Sequence, residues 1–198
     1  MKSKLVIAIA AIGIAVLFSS CAKVPQTEID AATASIQEVK DAGADLYVPE
    51  AYQALVDSMK SANEKVEVAK AKWFPNYTPA KELLATVSQM AVDTKAKSEA
   101  RKVELKAEVE TMIGEVKTLI EENTALLAKA PKGKEGKEAL EAIKSDLSVA
   151  EATVTEVEGL LANGDLIGSN DKIKAAKEKA TSIKAELEDA IAKKAGKK

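Results

Sequence analysis

The apolar residues of this chain recur at alternating intervals of four and three residues, and this spacing limits the possible folds more than any other feature. The clearest run contains Leu55, Met59, Ala62, Val66, Ala69 and Trp73. The spacing places every member of the run on one face of an α-helix and is typical of a coiled-coil seam. The sequence therefore predicts helices that pack along narrow apolar stripes.

The composition also favours helices. The 198-residue chain is rich in alanine, glutamate and lysine, and only 3% of it is aromatic. Alanine and unbranched charged side chains lose little conformational entropy in a helix. Because small apolar side chains fill only a thin core, we expect an elongated bundle and not a globule with a wide interior.

Four breaks divide the sequence after its first 26 residues into helices. They fall at residues 43–49, 75–79, 131–136 and 163–169, where turn-forming residues gather. Thr78 and Pro79 are predicted as the N-cap and first residue of a long helix that continues to residue 130, on the order of 75 Å. Ser169 is predicted as the N-cap of the last helix.

The apolar residues of this long helix form two blocks. The first contains Leu83, Leu84, Val87 and Ala91, and the second contains Leu105, Val109, Met112, Val116, Leu119 and Leu126. Residues 93–102 between them are almost wholly polar, so we expect the helix to change packing partners there. Asn123 falls on the second seam, where it is either a buried amide that fixes register or the exposed end of the seam.

The sequence indicates an internal repeat. Residues 138–162 carry a second run with the same spacing, Ile143, Leu147, Ala150, Val154, Val157 and Leu161, which lies 88 residues after the first run. Leu84 and Ala91 fall opposite Ile173 and Ala180 if one residue is added in the loop. We therefore expect an all-α, elongated helical bundle of two tandem three-helix units, residues 27–103 and 104–195, that share one long central helix. The alternative is a chance match, because any two heptad helices can be brought into phase.

The N-terminus has the pattern of a signal peptide. Lys2 and Lys4 precede an uncharged apolar run at residues 5–18. This run of about 14 residues is shorter than the ~20 that a transmembrane helix needs. Residues 1–20 are therefore predicted to be a signal peptide that is removed.

The end of this segment resembles the lipobox of bacterial lipoproteins. Leu17-Phe18-Ser19-Ser20-Cys21 places the single cysteine of the chain after two small residues. The resemblance implies cleavage between Ser20 and Cys21, a diacylglycerol on the Cys21 thiol and a fatty acid such as palmitate on its amine. A lone cysteine cannot form an internal disulfide, which favours lipidation over ordinary secretory cleavage after Ala22. Residues 21–26 would then be the anchor and linker.

The residue inventory argues against enzymes, metal sites and nucleic-acid binding. The chain contains no histidine, the commonest general base and transition-metal ligand. Residues 163–168 resemble a calcium loop only in part, because Ile167 stands where an oxygen ligand is needed. Removal of residues 1–20 changes the formal net charge from −2 to −4, which does not suit nucleic acid. We therefore expect no catalytic residue, metal or cofactor.

Two small groups of residues are candidate contact sites. Trp73, Phe74 and Tyr77 lie at one end of the second helix, where they either line a hydrophobic or peptide-binding recess or plug the open end of the bundle. Lys197 and Lys198 belong to a basic tail at residues 196–198. They either contact the cell wall or form a solvated helix end.

Part of the chain resembles a known family of bacterial envelope proteins. Ala42-Gly43-Ala44, Tyr47, Pro49, Tyr52 and the turn at residues 77–80, set among alanine-rich heptads, resemble domain of unknown function 4398 over about residues 25–102. The resemblance implies helical hairpins behind a lipoprotein signal. Asn76 departs from the glycine or aspartate that is frequent in the family, and the peptidoglycan-binding domain of some members is absent. The family has no assigned activity and therefore implies no catalytic residues.

These patterns together predict a non-enzymatic lipoprotein of the bacterial envelope. Acyl chains on Cys21 would hold it in a membrane, most simply the outer membrane, where it faces the periplasm as a spacer, adaptor or scaffold. Envelope proteins or peptidoglycan are the expected partners, and the seams could close within one chain or between chains. The alternative is a periplasmic binding or chaperone module that takes an apolar ligand or peptide near Trp73 and Tyr77.

Overall fold

The computed structural model describes residues 23–131 and 134–195, and within these ranges the protein is all-α. Its six helices are α1 (Gln26–Asp41), α2 (Ala44–Tyr47), α3 (Pro49–Lys70), α4 (Thr78–Lys129), α5 (Lys134–Ala162) and α6 (Leu166–Ala195). The predicted all-α class and the long central helix, 52 residues in α4, are confirmed. No helix in the described ranges is both long and apolar enough to cross a membrane.

The chain divides into two compact units between Arg101 and Lys102, inside α4. We call these the first unit and the second unit. The sequence placed the corresponding boundary between residues 103 and 104, at the end of the polar stretch of α4.

The core of the first unit is formed by α1, α2, α3 and the first part of α4. Its main cluster contains Ala32, Val39, Ala44, Leu55, Met59, Ala62, Leu84, Val87 and Ala91. In α3 the predicted seam is buried at every position from Leu55 to Ala69. The stripe is narrow, and four of the nine side chains in the main cluster are alanines, as the composition predicts for a thin core.

The prediction for the α3 seam is wrong at its last residue, Trp73. We expected Trp73 to continue the stripe, but α3 ends at Lys70 and the N–H of Lys72 donates to the carbonyl of Ala69 in a turn. Trp73 therefore lies beyond the helix and is 91% exposed. Spacing alone does not reveal where the last helical turn stops.

Small hydroxyl side chains continue the buried stripe through the polar stretch of α4. Thr94 and Ser98 are both buried, and the Ser98 hydroxyl donates to the carbonyl of Ala42 at 3.2 Å. Ala42 lies in the α1–α2 turn, where Gly43 takes a left-handed backbone with φ of 74°. The serine thus satisfies a carbonyl at a helix end that comes close to α4.

The core of the second unit is formed by the second part of α4 with α5 and α6. Its main cluster contains Val109, Ile113, Val116, Ile120, Ala150, Val154, Val157, Ile173 and Ala176. The predicted seam in α4 is wrong by one residue at two places, because Ile113 and Ile120 are buried where Met112 and Leu119 were expected. Two successive steps of four, from Leu105 through Val109 to Ile113, shift the stripe, since a straight helix repeats every 3.6 residues and not every 3.5.

The residues that cap α4 and α6 differ from the predicted ones, Thr78 and Ser169. Asn76 Oδ1 accepts a hydrogen bond from the Thr78 N–H at 3.0 Å, so asparagine caps α4. Asp165 Oδ1 accepts one from the Gly168 N–H at 2.9 Å, and the Asp165 carbonyl accepts one from the Ser169 hydroxyl at 2.6 Å. The prediction of Ser169 as N-cap is therefore wrong. Aspartate binds N–H groups of the first turn and carries the charge that a helix N-terminus prefers.

Candidate interaction surface at the α3–α4 loop

The loop between α3 and α4, residues 71–77, presents two large aromatic side chains to solvent. Trp73 is 91% exposed and Phe74 is 84% exposed. Both follow the end of α3 and precede Pro75, which disfavours helical backbone at Phe74. The two rings are thus held outside both helices.

Tyr77 closes the same loop in the opposite way. It is only 6% exposed and belongs to a small cluster with Val66, Ala69 and Ala80. The structure therefore does not bring the three predicted aromatic residues into one environment, because one ring is buried and two face solvent. Nor do Trp73 and Phe74 plug the end of the bundle, which was the other interpretation.

The first described residues of the chain pack against this same end of the first unit. Val24 and Ile29 are half-buried against the cluster that contains Ala69 and Tyr77, and Pro25 is buried. Ala69 and Tyr77 bracket the loop that carries the two exposed rings. The chain therefore enters the first unit beside the α3–α4 loop.

The predicted cleavage and lipidation residues, Ser20 and Cys21, lie outside the described residues, as do Lys197 and Lys198. Cys21 precedes Val24 by three residues, which span at most about 10 Å of extended chain. A lipid on Cys21 would therefore be attached close to the α3–α4 loop.

The chain around the loop is basic. Residues 68–81 contain Lys70, Lys72 and Lys81 and no acidic residue. Lys70 pairs with Glu67 at 2.6 Å, and Lys81 pairs with Glu28 of α1 at 2.7 Å. The hydrogen bond from Lys81 lowers the pKa of the Glu28 carboxyl, so this pair is charged at neutral pH. Lys72 is exposed beside the two rings.

The second unit carries open surface grooves among its described residues. One groove, of about 580 Å³, is lined by Glu104, Ala107, Glu108, Thr111, Met112, Glu115 and Lys174. Glu115 is held in an ion pair with Lys177 at 2.7 Å. No group of three or more acidic or cysteine side chains in the described ranges is placed to hold a metal ion.

Other shifted ionisable groups of the second unit also belong to surface ion pairs. Hydrogen bonds to Asp146 and Glu122 raise the pKa of Lys179 and Lys184 respectively. Both shifts favour the form that is already charged at neutral pH. Pairs of this kind support helix packing and do not generate an acid or base near neutrality.

Asn123 is a fully buried polar side chain in the core of the second unit. Asn123 Nδ2 donates to the carbonyl of Ala180 in α6 at 2.7 Å, whereas its Oδ1 has no partner among the described residues. Of the two interpretations of this asparagine, the structure shows the buried amide. The sequence could not distinguish them, because the partner lies 57 residues away.

Comparisons with family models, with curated proteins and with solved structures gave no match to this chain. The resemblance to domain of unknown function 4398 stays a prediction.

Proposed function

We propose that this protein is a lipid-anchored, non-enzymatic lipoprotein of the bacterial envelope that acts as a spacer, adaptor or scaffold. The resemblance of residues 17–21 to a lipobox that ends at Cys21 is the single observation that carries the proposal. Two or three acyl chains hold a protein stably, because each buried methylene adds about 0.8 kcal/mol. The described chain then projects from the outer membrane into the periplasm as a series of packed helices.

The proposal includes two tandem three-helix repeats. Seven buried positions from Tyr77 to Ser98 recur as buried positions 89 residues later: Tyr77, Ala80, Leu84, Val87, Ala91, Thr94 and Ser98 correspond to Leu166, Ser169, Ile173, Ala176, Ala180, Ile183 and Leu187. In α3 and α5 the shift is 88, from Met59 through Ala69 to Leu147 through Val157. The shift changes by one residue at the loop and then holds over seven positions. A chance match between two heptad helices would not explain why buried positions correspond in two successive helices, and this favours a repeat.

The energetics of the helical interfaces support a structural role. In the second unit, Lys117 pairs with Glu158, and Lys184 with Glu122, each at 2.7 Å. Exposed pairs of this type contribute little to the free energy of unfolding, so the apolar stripes provide most of the stability. The apolar stripes are buried within each unit. Loops, polar helix faces and termini therefore remain to contact a partner.

The anchoring claim is tested by metabolic labelling with an alkyne analogue of palmitate in a bacterial host. The wild-type protein should be labelled and sediment with membranes, whereas Cys21→Ala should be unlabelled. A Ser20→Ala variant, which keeps a small residue before the cut, is the matched control and should be labelled like the wild type. Wild-type protein that is processed but carries no label would contradict the proposal.

Peptidoglycan is one proposed partner, and Lys197 or Lys198 would contact it. If the contact is covalent, detergent should release the protein only after lysozyme treatment, and a variant with both lysines changed to arginine should be released without it. Wild-type protein that is fully released by detergent alone would exclude a covalent link and leave envelope proteins as the partners.

The alternative function is a periplasmic binding or chaperone module that takes an apolar ligand or peptide. The exposure of Trp73 and Phe74 is the observation that favours it. Titration of the protein with an apolar peptide that lacks tryptophan, followed by the emission of Trp73, tests this alternative. An unchanged spectrum at saturating peptide would remove its main support.

A further inference from the structure

We infer that the α3–α4 loop inserts Trp73 and Phe74 into the interface of the membrane that holds the acylated N-terminus. The inference rests on the proposed lipidation of Cys21 and adds a second contact with the bilayer. On this basis the first unit is held against the membrane by its acyl chains and by two aromatic rings.

The placement of the chain supports this contact. Val24 packs on the cluster that includes Ala69 and Tyr77, the residues on either side of the loop. From Val24 to Cys21 the chain spans at most about 10 Å. Each interfacial layer of a bilayer is about 5–8 Å thick, since the hydrocarbon core occupies ~30 Å of a total of 40–45 Å. Acyl chains on Cys21 would therefore keep the loop within reach of the headgroups.

The side chains of the loop are of the types that are enriched at membrane–water interfaces. Tryptophan prefers the boundary between headgroups and acyl chains, where its ring is buried and its N–H remains hydrogen-bonded. Phe74, the next residue, adds exposed apolar area to the loop. Lys72 next to the rings favours anionic headgroups, and residues 68–81 contain no acidic side chain. Lys70 contributes less, because it pairs with Glu67.

The corresponding loop of the second unit shows that closing the helices does not require exposed rings. The α5–α6 loop, residues 163–165, reads Asn-Gly-Asp, and Gly164 turns the chain with φ of 81°. Leu161, which lies opposite Trp73 at a shift of 88, is still within α5 and packs against the core of the second unit. Trp73 and Phe74 therefore have no packing role that the fold demands, and their exposure is explained by a surface outside the protein.

A bilayer suits this surface better than a protein partner does. The rings lie at the end of the first unit where the chain leaves toward its anchor, so the membrane is already present there at high effective concentration. Because the acyl chains alone retain the protein, the loop is expected to set depth and orientation and not to decide whether the protein is bound.

Trp73 is the single tryptophan of the chain, so it reports its own location. The experiment uses the full-length mature lipoprotein in vesicles of phosphatidylethanolamine and phosphatidylglycerol. We expect a blue-shifted emission, strong quenching by lipids brominated near the headgroup, and several-fold weaker quenching by acrylamide than for the unlipidated Cys21→Ser protein in solution. A matched control moves the probe to the other loop through Trp73→Ser combined with Asn163→Trp. That tryptophan should stay accessible to acrylamide and should not be quenched by brominated lipid.

The outcomes separate this inference from the proposed function. If mass spectrometry finds no acyl chain on Cys21, the proposed lipidation fails and the inference fails with it. If Cys21 is acylated but Trp73 remains as accessible to acrylamide as in solution, the inference alone is overturned. Phe74→Ser supplies a graded test, because it should reduce the blue shift while the protein remains bound to vesicles.

Discussion

The first and second units bury side chains at corresponding positions, but some of these side chains are polar in the first unit and apolar in the second. Where α4 buries Thr94 and Ser98, α6 buries Ile183 and Leu187. Ser98 donates to the Ala42 carbonyl, whereas Leu187 packs in a cluster with Ala130 and Leu147. The first unit thus has less apolar burial at this end and gains a hydrogen bond to a helix terminus. We expect the second unit to be the more stable of the two.

The loops of the two units differ more than their cores. The α5–α6 loop is a short polar turn, while the α3–α4 loop exposes Trp73 and Phe74. Core positions are constrained by packing within each unit, and loop positions are free to meet another surface. The contrast shows that the two units differ in surface chemistry at their loops more than in the pattern of their cores.

The largest expected effect comes from truncating the apolar end of the second unit. Leu187→Ala should destabilise the protein by about 2–5 kcal/mol, because it removes a buried side chain and leaves a cavity. The corresponding change in the first unit, Ser98→Ala, should cost about 1 kcal/mol through the lost hydrogen bond. Urea unfolding followed by circular dichroism measures both.

Leu46→Ala is the matched control for this pair, since Leu46 is 65% exposed in α2. Its effect should stay within about 0.5 kcal/mol. Equal costs for Leu187→Ala and Leu46→Ala would show that the end of α6 is not packed as described.

The next effect concerns the buried amide of the second unit. Asn123→Leu removes an unpartnered Oδ1 from the seam and should raise stability by about 1 kcal/mol, at the cost of a less strictly specified register or oligomeric state. Sedimentation equilibrium beside urea unfolding measures both consequences. A variant that is less stable and unchanged in oligomeric state would show that the hydrogen bond to Ala180 outweighs the buried unpaired oxygen.

The two helix caps should contribute similarly despite their different loops. Asn76→Ala and Asp165→Ala should each cost about 1 kcal/mol, within a usual range of 0.5–2 kcal/mol. Thermal unfolding compares them directly. A much larger loss for Asn76→Ala would mean that the α3–α4 loop also holds the cluster around Tyr77 in place.

Gly168→Ala sharpens the result for Asp165. A Cβ at Gly168 would clash with the Asp165 side chain, so the alanine should disturb the cap in the wild type. Combined with Asp165→Ala, the same change should stabilise α6 by up to about 1 kcal/mol through helix propensity. A double-mutant cycle with no coupling would contradict the described cap.

The smallest effect is the pH response of the surface pair in the first unit. Because Lys81 lowers the pKa of Glu28, the pair stabilises the folded state above the ordinary carboxyl range and is lost as the pH falls through the lowered pKa. In carbon-detected NMR titrations the Glu28 midpoint should move upward in Lys81→Met. An unchanged midpoint would show that the pair is not formed in solution.

The spacing of apolar residues predicted most of the core because a helix converts sequence separation into direction. In α3 it identified the seam from Leu55 to Ala69, all of which is buried. It was less reliable where two apolar residues are adjacent, as at Met112 and Ile113. There the buried member depends on how α4 is rotated against α5 and α6, which local sequence does not determine.

The candidate surface could be predicted only in part. The sequence singled out Trp73, Phe74 and Tyr77 by residue type, but not which of them would be exposed. That division follows from Tyr77 filling a cluster on which Val24 and Ile29 also pack, so it depends on parts of the chain that are far apart in sequence. The Asn123 contact with Ala180 was hidden for the same reason.

The central claim is lipid attachment at Cys21, and the mass of the N-terminal peptide of membrane-extracted protein tests it most directly. We expect a peptide that begins at Cys21 and carries a diacylglyceryl group, with or without a third acyl chain on its amine. A peptide that begins at Lys23, or one that begins at Cys21 with a free thiol, would contradict the account.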